Sequence, residues 1–165
     1  MDGDRSASYL TAAAALLVDM RSVHLATVSE QGVPHASVAP FVCRDGAIFV
    51  YVSALAAHTA NLRACRQACV LLARDEAASP ELFARPRLTL QCAVAEQARG
   101  SAVWHAVLDA LEARFGATAA TVRHLPDFVL FRLEPREARI VTGFARAQRI
   151  DGAAVAAMCR APEGA

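Results

Sequence analysis

Three strand-like runs joined by two tight turns, lying between Val23 and Val52, constrain this chain more than any other feature. They read HLATVSEQGVPHASVAPFV and then DGAIFVYV, with Glu30-Gln31-Gly32 at the first turn and Arg44-Asp45-Gly46 at the second. Turns of that chemistry return successive strands antiparallel, so the segment is a meander. Val23, Leu25 and Thr27 alternate with His24, Ala26 and Val28 as in a strand, and His24, inside that strand, reads as a hydrogen-bonded structural residue. Val33 to Cys43 and Ala47 to Val52 are rich enough in β-branched and aromatic residues to continue the sheet. Directly after the third strand, Ser53, His58, Thr59 and Asn61 gather at a strand-to-helix junction. Unpaired backbone N–H groups there suit an anion.

Around this core the pattern is regular. Tyr9, Leu10, Ala13, Leu16, Leu17 and Met20 recur at helical spacing, so Ala7 to Arg21 forms an amphipathic helix packed on the strands as a lid or plug. A short helix over Leu55 to Arg66 leads to a fourth strand, Ala68 to Arg74, then a loop from Asp75 to Pro86. Arg87 to Gln97 alternates as a long fifth strand. Ser101 caps a helix with an apolar stripe of Trp104, Val107, Leu108, Leu111 and Phe115, which Gly116 ends; that stripe is core. Two final strands, Asp127 to Leu133 and Ala138 to Phe144, are separated at Pro135. A helical turn over Ala153 to Met158 and a frayed Pro162-Glu163-Gly164 close the chain.

The chain has 165 residues, enough for one domain that buries roughly 70% of its unfolded surface. Its formal net charge of +1 argues against a dedicated nucleic-acid binder. Apolar runs fall short of a bilayer span, and the N-terminus lacks a secretory layout, so no membrane association and a cytoplasmic address are expected. The five cysteines are scattered without C-x-x-C, as expected for reduced, buried thiols. All 17 basic residues are arginine, which excludes a lysine Schiff base and leaves phosphate to arginine, hydroxyls or backbone. No residue stands out as a general base or nucleophile, and no metal site is expected.

Four pieces in order, L-A-T-V-S-E-Q-G-V-P, S-A-L-A-A-H-T-A-N-L, A-R-P-R-L-T-L-Q and D-F-V-L-F-R-L-E-P…R-I-V-T-G-F, resemble the FMN-binding split-barrel superfamily typified by pyridoxamine 5′-phosphate oxidase. The resemblance is nearest to its haem-utilisation (HugZ/HutZ-like) branch and covers about Ser22 to Ile150. It implies an α+β fold, an antiparallel split β-barrel with flanking helices. Residues 1–21 form a helix on the barrel, 22–150 the barrel itself and 151–165 an alanine-rich tail. It further implies a homodimer with FMN in grooves between subunits.

Carried onto this chain, the FMN phosphate falls to Ser53, His58 and Thr59, with Asn61 stabilising the turn. Arg87 and Gln91 supply a guanidinium and an amide, and His35, Ala36 and Ser37 line the flavin edge. The leading expectation is thus an FMN-dependent oxidoreductase acting on a small molecule. The alternatives are a haem-binding or haem-degrading protein and a non-enzymatic small-ligand-binding dimer. Cys92 stands where relatives carry glycine, so its side chain either narrows the groove or faces the interior. The C-terminal arginine-x-histidine element of vitamin B6 oxidases is missing. So is the tail histidine that ligates iron in the haem-degrading branch, which leaves His124, Cys159 or an arginine-supported open face.

Overall fold

A computed structural model describes residues 2–160. Helix α1 (Asp2–Asp19) leads into strands β1 (Ser22–Val28), β2 (Pro34–Arg44) and β3 (Ala47–Ser53), then α2 (Ala57–Cys65), β4 (Gln67–Ala73) and β5 (Arg87–Gln97). The chain continues through α3 (Ala102–Phe115), α4 (Ala117–Arg123), β6 (Phe128–Gly143), β7 (Arg146–Asp151) and α5 (Gly152–Met158). All pairings are antiparallel, in the order β3-β2-β1-β4-β5-β6-β7, and a further β3–β6 pairing closes the first six strands into a barrel. The expected α+β split barrel is the observed architecture.

The meander forms as its turns dictate. Asp45 and Gly46 sit at φ 47° and 79°, the left-handed pair that a two-residue hairpin between right-twisted strands requires. β1 buries Val23, Leu25 and Thr27 and exposes His24, Ala26 and Val28. His24 lies inside β1 as expected, but it is exposed and projects from the outer face of the sheet, where no core contact gives it a structural role. β3 has no polar face, because Ile48, Val50 and Val52 fill the barrel while Ala47, Phe49 and Tyr51 pack under α3 and α4 with Trp104, Leu108 and Leu111. Ser101 Oγ accepts from the Trp104 N–H (3.1 Å), capping α3 as expected.

Three features depart from the expected pattern. Pro135 does not divide two strands; β6 runs through it as one strand of 16 residues. Cys92 pairs with Pro135 and Gln91 with Glu137, so Arg136 is an extra, bulged residue that absorbs the missing proline N–H. The first part of β6 pairs with β3 and β5, and beyond the bulge it keeps β5 and exchanges β3 for β7. β7 has no counterpart among the expected strands, because its residues are exposed except Ile150 and offer no alternation. α4 and the two 3-10 turns in the 75–86 loop, Glu76–Ala78 and Leu82–Ala84, are too short to show a period. The expected frayed end at residues 162–164 lies outside the described residues.

α1 places Ala13, Leu16 and Leu17 in the barrel core, and Arg114 of α3 fastens its end. The Arg114 guanidinium donates to the carbonyls of Val18 (3.0 Å), Met20 (2.7 Å) and Phe41 (3.2 Å) and stacks on the Phe41 ring. Val18 and Met20 offer carbonyls at the helix terminus, where intrahelical donors run out. Arg114→Met, which keeps the stem, is expected to cost about 3 kcal/mol by leaving these acceptors without a charged donor. A denaturant midpoint equal to wild type would show that water replaces the guanidinium without loss. Among the described residues, no helix is long and apolar enough to cross a membrane.

Candidate functional site

The end of β3 and the start of α2 are knotted together by their own side chains. Ser53 Oγ donates to Asp127 Oδ2 (3.0 Å) and accepts from the Leu55 N–H (3.2 Å). The Thr59 hydroxyl donates to the Ser53 carbonyl (2.6 Å) and is wholly buried. Asn61 Nδ2 donates to Thr27 Oγ1 (2.9 Å), tying α2 to β1. Thr59 and Asn61 thus hold the helix against the barrel, and Ser53 already faces a carboxylate.

His58 lies one residue into α2, and its Nδ1 is 2.9 Å from Ser37 Oγ. The ring of His35 stands edge-on to it, centroids 6.5 Å apart. His58 Nε2 and His35 Nδ1 are buried and have no hydrogen-bond partner. Burial, and secondarily the neighbouring His35, pushes the His58 pKa down, so the imidazole is held neutral. A neutral ring can accept a metal or donate one hydrogen bond, but it brings no charge to a phosphate.

Alternation along β2 splits the expected flavin edge. His35 and Ser37 turn toward α2, while Ala36 and Val38 turn out, Val38 at 58% exposure. Cross-strand register then aligns two rows on the outer face. Val38, His24, Leu71, Thr89, Arg139 and Arg149 form one, and Ala36, Ala26, Cys69, Gln91, Glu137 and Asp151 the other. Gln91 is therefore three strands from Ala36, about 14 Å at sheet spacing. Arg87 lies on this same face, its guanidinium donating to the Arg85 carbonyl (3.0 Å). Of the expected site residues, His35, Ser37 and His58 meet at the junction, and Thr59 bonds the Ser53 carbonyl. Ala36, Arg87 and Gln91 lie on the open face instead.

That face has an apolar half around His24, with Ala26, Ala36, Val38 and Leu71, and a charged half at β6 and β7. Arg139 is exposed there, and Arg149 pairs with Glu137 (2.8 Å). Leu71, Arg139 and Arg149 are not among the residues that the sequence marks, because single-strand alternation does not reveal which strands become neighbours. Cys92 faces the interior, 4% exposed, where burial pushes its thiol up to about 12; it does not narrow the open face. His105 and His124 are exposed on the helical side.

A closed six-strand antiparallel barrel with flanking helices defines a split-barrel protein. A family model described as pyridoxamine 5′-phosphate oxidase matches residues 10–142, and the chain belongs to that family, in the branch that includes HutZ. The haem oxygenase HutZ of Vibrio cholerae serotype O1 (strain ATCC 39315 / El Tor Inaba N16961) is 37% identical over 134 residues, 81% of this chain and 76% of that protein. The crystal structure of HutZ from Vibrio cholerae, described as a haem storage protein, superposes with TM-score 0.71 at 37% identity, covering 73% of this chain and 84% of that one. The structure of a haem-binding protein from Mycobacterium smegmatis gives TM-score 0.81 at 25% identity, covering 90% of this chain and 60% of that one.

Proposed function

We propose that this protein binds haem on the outer face of its barrel sheet, in a groove that a second copy of the chain closes. The observation that carries the reading is the row in which His24 stands between Val38 and Leu71 and ends at Arg139 and Arg149. A porphyrin is an apolar plane whose iron takes an imidazole and whose propionates take guanidinium groups. Here His24 would be the iron ligand, Ala26, Ala36, Val38 and Leu71 would lie against the ring, and Arg139 with Arg149 would hold the propionates. Bound haem supplies a redox-active iron; the chain's own part is to orient the ring and exclude water from it. The haem descriptions of HutZ and of the Mycobacterium smegmatis protein support this reading.

FMN is the second reading, favoured by the family match and by the unpartnered His58 Nε2 at the start of α2. It would make the protein a flavin oxidoreductase with the ring along β2 and the phosphate near Ser53. Against it stands the Asp127 carboxylate on Ser53, which puts a negative charge where the phosphate dianion would bind. Visible titrations with hemin and with FMN, on protein whose mass in solution is measured at the same time, separate the two. The expected result is a dimer that develops a saturable Soret band with hemin and leaves the FMN spectrum unchanged. Protein that carries tightly held FMN and ignores hemin would reverse the order.

A further inference from the structure

We propose that Cys43 and Cys159 are an oxidant-responsive thiol pair, which a peroxide joins into a disulfide that pins the C-terminal helix to the β2–β3 hairpin. Cys43 is near the end of β2, and Cys159 comes directly after α5. The two are 116 positions apart in sequence, yet their sulfur atoms lie 3.2 Å from each other. The two sulfurs are already in contact, and a disulfide would draw them in to roughly 2.05 Å. The tail already rests on the hairpin here: the Arg160 side chain lies against Gly46 in the turn between β2 and β3.

The chemistry has a direction. Cys159 is fully buried and Cys43 is only half-buried, so Cys43 meets the oxidant first. Its sulfur attacks one peroxide oxygen, the O–O bond breaks, and water (or an alcohol, from an alkyl peroxide) leaves, giving a sulfenic acid. Cys159 sulfur then attacks Cys43 sulfur, the S–O bond breaks and a second water departs. Two electrons and two thiol protons have passed to the peroxide. Cys92 does not compete on equal terms, because its burial in the barrel core disfavours the thiolate.

The test is to expose the intact, reduced chain to stoichiometric hydrogen peroxide, quench with an alkylating reagent and map the digest by mass spectrometry. The expected product is one cross-linked peptide joining Cys43 to Cys159, lighter by two hydrogens, with Cys65, Cys69 and Cys92 alkylated. It should melt at a higher temperature than the reduced protein, and a dithiol reductant should reverse the shift. In Cys159→Ser, Cys43 should instead accumulate as a sulfenic acid captured by dimedone, and Cys43→Ser should show no thermal shift with peroxide. Alkylation of both Cys43 and Cys159 after peroxide, or a cross-link from Cys159 to Cys92, would overturn the proposal.

Discussion

Protein carrying Gly152→Ala is expected to melt roughly 10 °C below wild type, corresponding to about 3 kcal/mol, and to release its C-terminal helix. A Cβ at position 152 would lie 2.5 Å from the Arg136 carbonyl carbon and oxygen and from the Pro135 carbonyl oxygen. All three are backbone atoms, so no flexible side chain can swing aside. They also belong to the bulge of β6, where the strand is held by β5 on one side and bends away from β3 on the other. Relieving the contact therefore means either unbending the barrel or lifting α5. The second route is the easier, and it loses the burial of Val155 and Cys159 and the cap in which Asp151 Oδ1 accepts from the Ala153 N–H (2.7 Å). Thermal melts followed by circular dichroism, with proteolysis at the tail as the local readout, measure both consequences. A variant that melts like wild type would mean that the bulge is softer than its pairing suggests.

His24→Ala is expected to weaken hemin binding roughly 100-fold or more, and to shift the Soret maximum of whatever complex remains. The large effect comes from the ring's place on the face: no other histidine shares its cross-strand row, and its neighbours Val38 and Leu71 cannot ligate iron. Because His24 is exposed and packs into no core cluster, the substitution should leave the melting temperature close to that of wild type. Binding and stability are thereby read separately. Arg139→Ala makes a graded comparison, with a several-fold loss and an unshifted band, because it removes a propionate partner and not the ligand. Unchanged hemin affinity in His24→Ala would move the search for the ligand to His58, whose Nε2 is another imidazole nitrogen without a partner.

Much of the barrel is legible in the amino-acid order because strong local rules act there. Asp45-Gly46 specifies its hairpin, β1 and β5 show their buried faces by alternation, and Ser101 and Gly116 bracket α3. Legibility ends where a local rule meets a tertiary one. Pro135 breaks strands in isolation, but a bulge lets β6 continue, and nothing nearby in sequence announces the bulge. The site is legible in the same uneven way. The spacing of Ser53, His58, Thr59 and Asn61 predicts one junction, but of the four only Thr59 and Ser53 bond each other, while Asn61 turns to Thr27 and His58 to Ser37. Those partners are not announced nearby: Asp127, which engages the Ser53 hydroxyl, lies 74 positions from it. What surrounds His24 is hidden for a related reason, since alternation says which residues share a face but not which strands become neighbours.

The closing pair of the barrel also sets a timetable for synthesis. β3 spans Ala47–Ser53, and its second neighbour, the first part of β6, begins only at Phe128. A ribosome must therefore make most of the chain while β3, apolar on both faces, carries an open edge. Such an edge is the surface on which nascent chains pair with the wrong partner. Cells that make this protein quickly are expected to lose more of it to aggregation than cells that make it slowly, although the finished barrel hides that edge completely.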